Sequence, residues 1–275
     1  MADPRSRPTV VVRDVSPSTD CSTIVSRSHL QVLLARSPIP PEVLLDNLAL
    51  YMPRTAIVDA IAMGDLYRRI LCVPGTVMEF GTRWGRRLPL FVALRELYEP
   101  YDYTRRIVGF DTFSGFPRVH VNDGGHPEIH AGSMSTATGY AEHLSRVLEA
   151  HEEQTALPHI RRVEVRAGDV VDTVPDYLRD YPETLVSLAY FDLDLYEPTR
   201  ACMSAIRSRL VPGSILAFDE LAHHNFPGET LAVLDELGLR WGAVEKLPHH
   251  RGPTIVTVAT PPSRPTCRAE HERSV

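Results

Sequence analysis

The chain has 275 residues, of which 43% are hydrophobic and 23% are charged, and its formal net charge is -6. These proportions are typical of a soluble globular protein, and the negative charge argues against nonspecific binding of nucleic acid, which needs a basic surface. No apolar run approaches the roughly 20 residues that span a bilayer, which argues against a membrane protein.

The cysteines and the termini indicate a cytoplasmic protein built as one domain. The cysteines are widely separated and include no C-x-x-C pair: Cys21, Cys72, Cys202 and Cys267. This spacing fits neither a disulfide framework nor a zinc knuckle, so we expect a reducing compartment. Residues 1–28 and 261–275 are rich in Pro, Ser, Arg and charge. We expect both to be mobile tails around a domain at 29–260.

The chain order of apolar segments predicts an α/β fold. Two stretches with helical spacing, PPEVLLDNLALY and AIVDAIAMGDLYRRILC, come first and are interrupted at Met52-Pro53. Short apolar runs then alternate with amphipathic helical stretches, at 76–81, 106–113, 162–169, 185–194, 214–220 and 254–260, with a weaker run at 240–247. This alternation predicts βαβ units in a doubly wound, mainly parallel sheet with helices on both faces. Ligands bind such sheets at the carboxyl ends of the strands, where the chain order reverses.

The first predicted strand ends in Glu79, followed by a loop that contains Gly81 and Gly85. A glycine turn before a helix lets the backbone approach a ligand closely. A dinucleotide motif needs a third glycine, and an acidic residue here would repel a pyrophosphate. The acidic side chain of Glu79 suits the cationic methionine end of S-adenosylmethionine instead. The alternative is a turn whose glycines serve packing only.

Acidic residues also follow the second and third predicted strands. Asp111, before TFSGFP, can accept both ribose hydroxyls of a bound nucleoside. Gly168-Asp169 can contact the adenine amino group. The alternative for Asp169 is that it caps a helix beginning near Val170.

Four further acids follow the fourth and fifth strands. Asp192 and Asp194 are two apart, so on an extended chain their side chains point the same way. If these strands are neighbours, Asp192 and Asp219, with Glu220 beside it, come within reach of one cation. Carboxylate oxygens suit a hard ion such as Mg²⁺. The alternative is that one of the acids caps the next helix.

The acidic cluster predicts chemistry on an alcohol. A sugar hydroxyl is a poor nucleophile at neutral pH, but a bound Mg²⁺ stabilises its alkoxide and a carboxylate or imidazole takes its proton. Asp194 is the first candidate for this base, and His223 and His224 are the rivals.

Four ordered motifs resemble a known family: VMEFGTRWG, FDTFSGFP, FDLDLYEPT and VPGSILAFDE. They are similar to the macrocin and novobiocin O-methyltransferases, bacterial enzymes that methylate sugars of antibiotics. The resemblance covers roughly residues 45 to 260. It is closer to the branch that acts on the rhamnose-like sugar of the enediyne calicheamicin.

The resemblance implies a class I methyltransferase, Rossmann-like, with a seven-stranded sheet, S-adenosylmethionine and a Mg²⁺ or Ca²⁺ ion. Together with the strand-end loops, it gives a cofactor-binding set of Glu79, Gly81, Thr82, Arg83, Gly85, Asp111, Thr112, Phe113, Ser114, Gly168, Asp169 and Asp192. The implied metal ligands are Asp192, Asp219 and Glu220, and the implied base is Asp194. The family usually has Asp-Asp at 219–220, so the longer Glu220 reaches the ion from a different place.

Residues 118–140 have little apolar periodicity, which predicts a lid that closes over the cofactor together with the break at Tyr51-Met52-Pro53-Arg54 or, alternatively, a disordered insert. We expect a glycosylated small molecule as substrate and a homo-oligomer, because the family tends to oligomerise. The functional alternatives are an amino-sugar N-methyltransferase without metal, an NAD-dependent oxidoreductase and a non-catalytic nucleoside-binding partner protein.

Overall fold

The structure is a computed structural model that describes residues 21–238, 242–248 and 252–259. Helix α1 (Cys21–Ala35) begins inside the stretch 1–28 that we predicted to be a tail. The prolines of that stretch all precede Cys21, so nothing interrupts the helix after it. The rest of the predicted N-terminal tail, 1–20, and the predicted tail 261–275 lie outside the described residues.

The chain divides into an N-terminal unit, Met1–Val58, and a larger unit, Asp59–Val275. The first contains α1, α2 (Pro41–Leu44) and a 3-10 helix (Leu45–Leu50). Helix α3 (Arg54–Arg69) begins directly after Pro53, which confirms the predicted interruption. None of the helices in the described ranges is long and apolar enough to cross a membrane.

The larger unit contains a seven-stranded sheet in the order β3-β2-β1-β4-β5-β7-β6. Its strands are β1 (Thr76–Phe80), β2 (Ile107–Asp111), β3 (Val163–Ala167), β4 (Val186–Phe191), β5 (Leu210–Phe218), β6 (Gly242–Lys246) and β7 (Thr254–Val258). The first five are parallel and β7 is antiparallel to both of its neighbours. This is the predicted class I methyltransferase sheet, and the chain order reverses between β1 and β4.

Helices cover both faces of the sheet, as the apolar strands predict. They are α4 (Leu88–Tyr98), α5 (Tyr140–Glu152), α6 (Val170–Asp180), α7 (Tyr196–Ile206) and α8 (Pro227–Glu236). Val77 packs in a core with Phe91 of α4 on one face, whereas the next residue, Met78, packs with Tyr177 of α6 on the other. Both faces are therefore closed, and the carboxyl ends of β1, β4 and β5 remain as the place for a site.

Candidate active site

Glu79 is a fully buried acid near the carboxyl end of β1. Its Oε1 lies 3.3 Å from Nη1 of Arg87, whereas its buried Oε2 has no hydrogen-bond partner. Burial raises the pKa of Glu79 to about 8, although the charge of Arg87 opposes the shift. A buried polar atom without a partner is costly, so this oxygen fits the cationic amino group of a ligand.

The loop after β1 needs its glycines for steric reasons. Gly81 has a φ of 87°, and a Cβ there would lie 1.9 Å from the carbonyl oxygen of Asp192. Gly85 has a φ of 72°, and a Cβ there would meet the side chain of Leu144. The buried hydroxyl of Thr82 has no hydrogen-bond partner. The packing role is therefore present, and a role in ligand binding stays a prediction for these positions.

Asp111 joins the loops that follow β1 and β2. Its Oδ2 accepts from the backbone N–H of Arg83 at 2.7 Å and its Oδ1 from that of Phe113 at 2.6 Å. The Thr112 hydroxyl accepts from the backbone N–H of Ser114 at 3.3 Å. Each carboxylate oxygen keeps a second lone pair, so Asp111 can organise both loops and still accept hydroxyl groups.

Asp169 follows β3 and caps α6. Its Oδ1 accepts from the backbone N–H of Val171 at 3.1 Å, and its Oδ2 lies 3.2 Å from Nη2 of Arg118. The adjacent Gly168 donates its N–H to the carbonyl of Asp111 at 2.9 Å. The capping alternative is thus confirmed, and an adenine contact stays a prediction.

The chain does not stay extended after β4, so that part of our expectation is wrong. The strand ends at Phe191, and Asp194 has a φ of 61°. The backbone N–H of Leu195 donates to the carbonyl of Leu193 at 2.7 Å, which closes a tight turn around Asp194. Asp is one of the residues that tolerates this left-handed conformation best.

Asp194 nevertheless lies among the predicted acids. Burial raises its pKa well above the ordinary value, and the charges of Asp192, Glu220 and Asp219 raise it further. The turn, rather than the alternation of a strand, brings these carboxylates together.

The predicted adjacency of the fourth and fifth strands is confirmed. β4 and β5 pair in parallel with Phe191 beside Phe218, so Asp192 and Asp219 follow at neighbouring strand ends. The backbone N–H of Asp219 donates to the carbonyl of Phe191 at 3.1 Å. Neither acid caps a helix, because the N-cap positions of α7 and α8 hold apolar residues.

Arg87 supplies a positive charge to these acids, and our sequence reasoning missed it. Its Nη1 lies 2.6 Å from Oδ2 of Asp192, and its Nη2 lies 3.6 Å from Oδ1 of Asp219. Burial disfavours the charge of Arg87, but Tyr190 and the carboxylates raise its pKa well above the ordinary value. The sequence feature that could have predicted this role is the pair of arginines at 86–87, which directly precedes an apolar helical stretch.

The predicted metal ligands do not fit an ion in this arrangement. Asp192 and Asp219 both face Arg87, and Oε2 of Glu220 lies 3.5 Å from Nδ1 of His223. Among the residues that the structure describes, no three or more His, Cys, Asp or Glu side chains form a group that could hold a metal.

The two candidate histidines lie on the loop between β5 and α8. Burial lowers the pKa of His223, and His224 and His126 lower it further. The rings of His223 and His224 stack with their centroids 5.4 Å apart. His223 is therefore held neutral, the form that can accept a proton.

Glu229 of α8 is a further acid that sequence reasoning missed. It is fully buried, and its Oε2 accepts from the backbone N–H of Glu220 at 2.8 Å, whereas its Oε1 has no hydrogen-bond partner. Burial raises its pKa well above the ordinary value. Its burial could not be predicted from its position in an amphipathic helix, because acids on such helices usually face solvent.

The segment 118–140 is folded, so the alternative of a disordered insert is wrong. It contains a 3-10 helix, Val121–Asp123, and the buried carboxylate of Asp123 accepts from the backbone N–H groups of Tyr196 and His120, both at 2.6 Å. The ring of His120 stacks on that of Tyr196. The segment is thereby anchored to the start of α7.

A scan against protein-family models and a search of curated proteins give no match. Two solved structures of the calicheamicin methyltransferase CalS11 are similar. One is 45% identical, with a TM-score of 0.85, over 87% of this chain and 93% of CalS11. The apo structure, described as a TDP-rhamnose 3'-O-methyltransferase, is 42% identical, with a TM-score of 0.77, over 87% of this chain and 95% of the other.

The O-methyltransferase NovP shares the fold, with 17% identity and a TM-score of 0.57 over 74% of this chain and 81% of NovP. The identity to CalS11 and its coverage confirm the resemblance that the ordered motifs predict. The chain is therefore a methyltransferase and belongs to the family of CalS11, the calicheamicin branch of the macrocin- and novobiocin-type sugar O-methyltransferases.

Proposed function

We propose that this methyltransferase transfers a methyl group from S-adenosylmethionine to a sugar hydroxyl in antibiotic biosynthesis. The observation that carries the proposal is the half-buried Asp194, which lies among other carboxylates beyond the carboxyl end of β4. A carboxylate in this setting is suited to take the proton of an alcohol. The description of CalS11 as a TDP-rhamnose 3'-O-methyltransferase supports a sugar acceptor.

The loops at the ends of β1 and β2 are suited to the cofactor. S-adenosylmethionine supplies an electrophilic methyl group when it is bound. The unpaired Oε2 of Glu79 is available to its amino group, and the carboxylate of Asp111 is available to its ribose hydroxyls. The buried Thr82 hydroxyl is a further unpaired polar atom in this loop.

In the proposed reaction, Asp194 would take the hydroxyl proton as the sugar oxygen bonds to the methyl carbon. The bond between that carbon and the sulfonium sulfur would break at the same time, and its electron pair would stay on the departing S-adenosylhomocysteine. Burial and the neighbouring acids raise the pKa of Asp194, which makes its ionised form a stronger base. Much of the rate comes from holding the oxygen in line with the methyl group. His223 is the second candidate for the base, because it is held neutral, and His224 lies beside it.

The predicted Mg²⁺ or Ca²⁺ ion is not needed for this assignment. Asp192 and Asp219 already face the positive charge of Arg87. We therefore propose that Asp194 takes the hydroxyl proton of the sugar without the help of a metal ion. Chelation of divalent metals tests this choice.

The substrate class follows from two lines of support. The sequence predicts a sugar of a glycosylated natural product, whereas the description of CalS11 favours a rhamnose-like sugar carried on a nucleoside diphosphate. We propose that the nucleotide sugar is the first acceptor to test, with glycosylated antibiotics as the second. We further propose that segment 118–140 covers the acceptor and that the protein is a homo-oligomer, a dimer or larger.

The test is a methyl-transfer assay with radiolabelled S-adenosylmethionine against TDP-rhamnose, a TDP-amino sugar and a panel of glycosylated antibiotics. We expect label on a sugar oxygen. Label on the amine alone would establish the N-methyltransferase alternative. Cofactor binding by calorimetry without transfer to any acceptor would favour a non-catalytic partner protein, and binding of NAD instead would favour an oxidoreductase.

A further inference from the structure

We infer that Arg87 is the built-in cation of the acidic site and occupies the place that a divalent ion would otherwise take. The inference deepens the proposed function, because it concerns how the acids beside the sugar hydroxyl are held. It makes Arg87 a positioning residue that acts through Asp192, Asp219 and Glu79.

The guanidinium of Arg87 is shared among acids from separate strands. Nη1 lies 2.6 Å from Oδ2 of Asp192 and 3.3 Å from Oε1 of Glu79. Nη2 lies 3.6 Å from Oδ1 of Asp219, an ion-pair distance beyond hydrogen-bond length. The ends of β1, β4 and β5 therefore meet at one positive group.

The other sides of this guanidinium are closed as well. Its carbon lies 4.2 Å from the ring centroid of Tyr190, whose hydroxyl donates to Asp219 at 2.7 Å. Nε lies 3.7 Å from Oδ1 of Asp59 on α3. A planar guanidinium suits this arrangement because it presents several donors in a fixed plane and keeps its charge when buried.

The side chain of Arg87 is packed too tightly to move aside for an ion. Its side chain is 2% exposed, so a swing to solvent would disrupt the packing around it. A divalent cation beside a buried guanidinium would also be strongly repelled. One carboxylate oxygen from each of two predicted ligands, Oδ2 of Asp192 and Oδ1 of Asp219, already faces Arg87.

The consequence is that removing Arg87 should convert the site into a metal site. Arg87→Ala leaves Asp192 and Asp219 without their cation and opens a space beside them. These two carboxylates are about a quarter exposed, and carboxylate oxygens are the ligands that a hard cation prefers. Arg87→Lys keeps the charge but loses the planar set of donors.

The first experiment measures metal binding directly and needs no substrate. Wild-type protein and the variants are treated with EDTA, dialysed and titrated with Mn²⁺, with free Mn²⁺ followed by electron paramagnetic resonance. We expect the wild type and Arg87→Lys to bind no Mn²⁺ and Arg87→Ala to bind it in competition with Mg²⁺. The matched control is Arg86→Ala, a neighbouring side chain that is 62% exposed and pairs with Asp59 at 3.2 Å. We expect it to behave as the wild type.

The second experiment measures methyl transfer with and without EDTA. We expect the wild-type rate to be the same in EDTA and in Mg²⁺. We expect Arg87→Ala to lose activity about 10- to 100-fold, as for other residues that orient a site, and to recover part of it in Mg²⁺. A purely structural role for Arg87 would not produce this rescue.

The inference is overturned if the wild type binds Mn²⁺, or if EDTA abolishes its activity and Mg²⁺ restores it. A folded Arg87→Ala protein that neither binds Mn²⁺ nor responds to Mg²⁺ also overturns it. If Arg87→Ala does not fold, as judged by thermal melting, Arg87→Gln takes its place with the same expectations. Because Mn²⁺ binding is measured without an acceptor, the inference can stand or fall whether or not the protein methylates a sugar.

Discussion

At the scale of single residues, the site holds carboxyl groups whose ionised forms are disfavoured by burial. Burial raises the pKa of Asp219 to about 6, with Asp192 adding to the shift, and raises that of Glu79 to about 8. The pKa of Asp194 is raised in the same direction. At neutral pH Asp219 is therefore mostly ionised and Glu79 is mostly protonated, and a carboxylate whose pKa is raised is a stronger base once it is ionised than an ordinary surface carboxylate.

Replacing the proposed base should remove turnover and leave cofactor binding intact. We expect Asp194→Asn to lower kcat by about 10²- to 10⁴-fold, because an amide cannot take the hydroxyl proton. The affinity for S-adenosylmethionine, measured by calorimetry, should change little. The control is Asp176→Asn on α6, which changes an exposed acid paired with Arg179. An unchanged kcat in Asp194→Asn together with a loss in His223→Gln would move the base to the histidine.

The raised pKa of Glu79 should make the free protein less stable as the pH rises. The folded-state pKa is about 8 and the ordinary value is 4.5, so between these values the folded protein holds a proton that the unfolded chain has released. The free energy of unfolding from this group therefore falls with pH, by up to about 1.4 kcal/mol per pH unit.

Urea unfolding of the wild type and of Glu79→Gln between about pH 5 and about pH 8 measures this effect. The variant has no proton to lose at this position, so its stability should depend less steeply on pH. Asp176→Asn should keep the wild-type slope. Equal slopes in the wild type and Glu79→Gln would show that Glu79 does not titrate in this range.

At the scale of elements, a hydrogen bond joins segment 118–140 to the start of α7, directly after the turn that carries the proposed base. Asp123 accepts from the backbone N–H of Tyr196 at the start of α7. A Cβ on Gly228 of α8 would lie 2.6 Å from Oδ1 of Asp123 and 2.9 Å from the carbonyl oxygen of Asp194. The anchor of the proposed lid is thus packed against the turn at Asp194.

Removing this anchor should loosen the segment and weaken acceptor binding. Asp123→Ala leaves the buried N–H group of Tyr196 without an acceptor, at a cost of about 1–3 kcal/mol, and also removes the acceptor of the part-buried N–H group of His120. We expect a higher KM for the sugar and faster proteolysis within 118–140. The control is His130→Ala, an exposed position in the same segment. If proteolysis and KM both stay at the wild-type values, Asp123 does not hold the lid.

At the scale of the whole molecule, the N-terminal unit carries apolar side chains that its own helices do not cover. Leu45 is 77% exposed and Leu50 is 66% exposed. Others on the same unit are also exposed: Val32, Leu33, Leu34, Val43, Leu48 and Ile57. Short helices are marginal in water without packing, and exposed apolar patches often mark interfaces. This exposure supports the predicted homo-oligomer and suggests the N-terminal unit as its contact surface.

Charges on these helices should therefore dissociate the protein. We expect the wild type to sediment as a dimer or larger and Leu45→Glu/Leu50→Glu to sediment as a monomer. The control is Leu97→Glu on α4, a position in the other unit that is 68% exposed. A wild type that stays monomeric at high concentration, or a double variant that remains assembled, would contradict the prediction.

The sequence by itself determined the architecture and the position of most of the site. Apolar runs and helical spacing are local properties, so they located the seven strands and the interruption at Pro53. The parallel topology then implied that residues after β1, β4 and β5 lie at one edge of the sheet. This is why Asp192 and Asp219 could be predicted to lie together, whereas the contact of Glu79 with the same arginine was not predicted.

The tertiary structure decided how the acids are neutralised and oriented. Arg87 reaches the ends of three strands from the start of a helix, and Glu229 reaches the backbone of Glu220 from another. Neither contact has a local pattern, because side-chain direction and burial depend on the packing of distant segments. The turn at Asp194 depends on a single φ angle, which residue spacing does not specify. A counter-charge was therefore predictable from the cluster, but whether a metal or an arginine provides it depends on the three-dimensional packing.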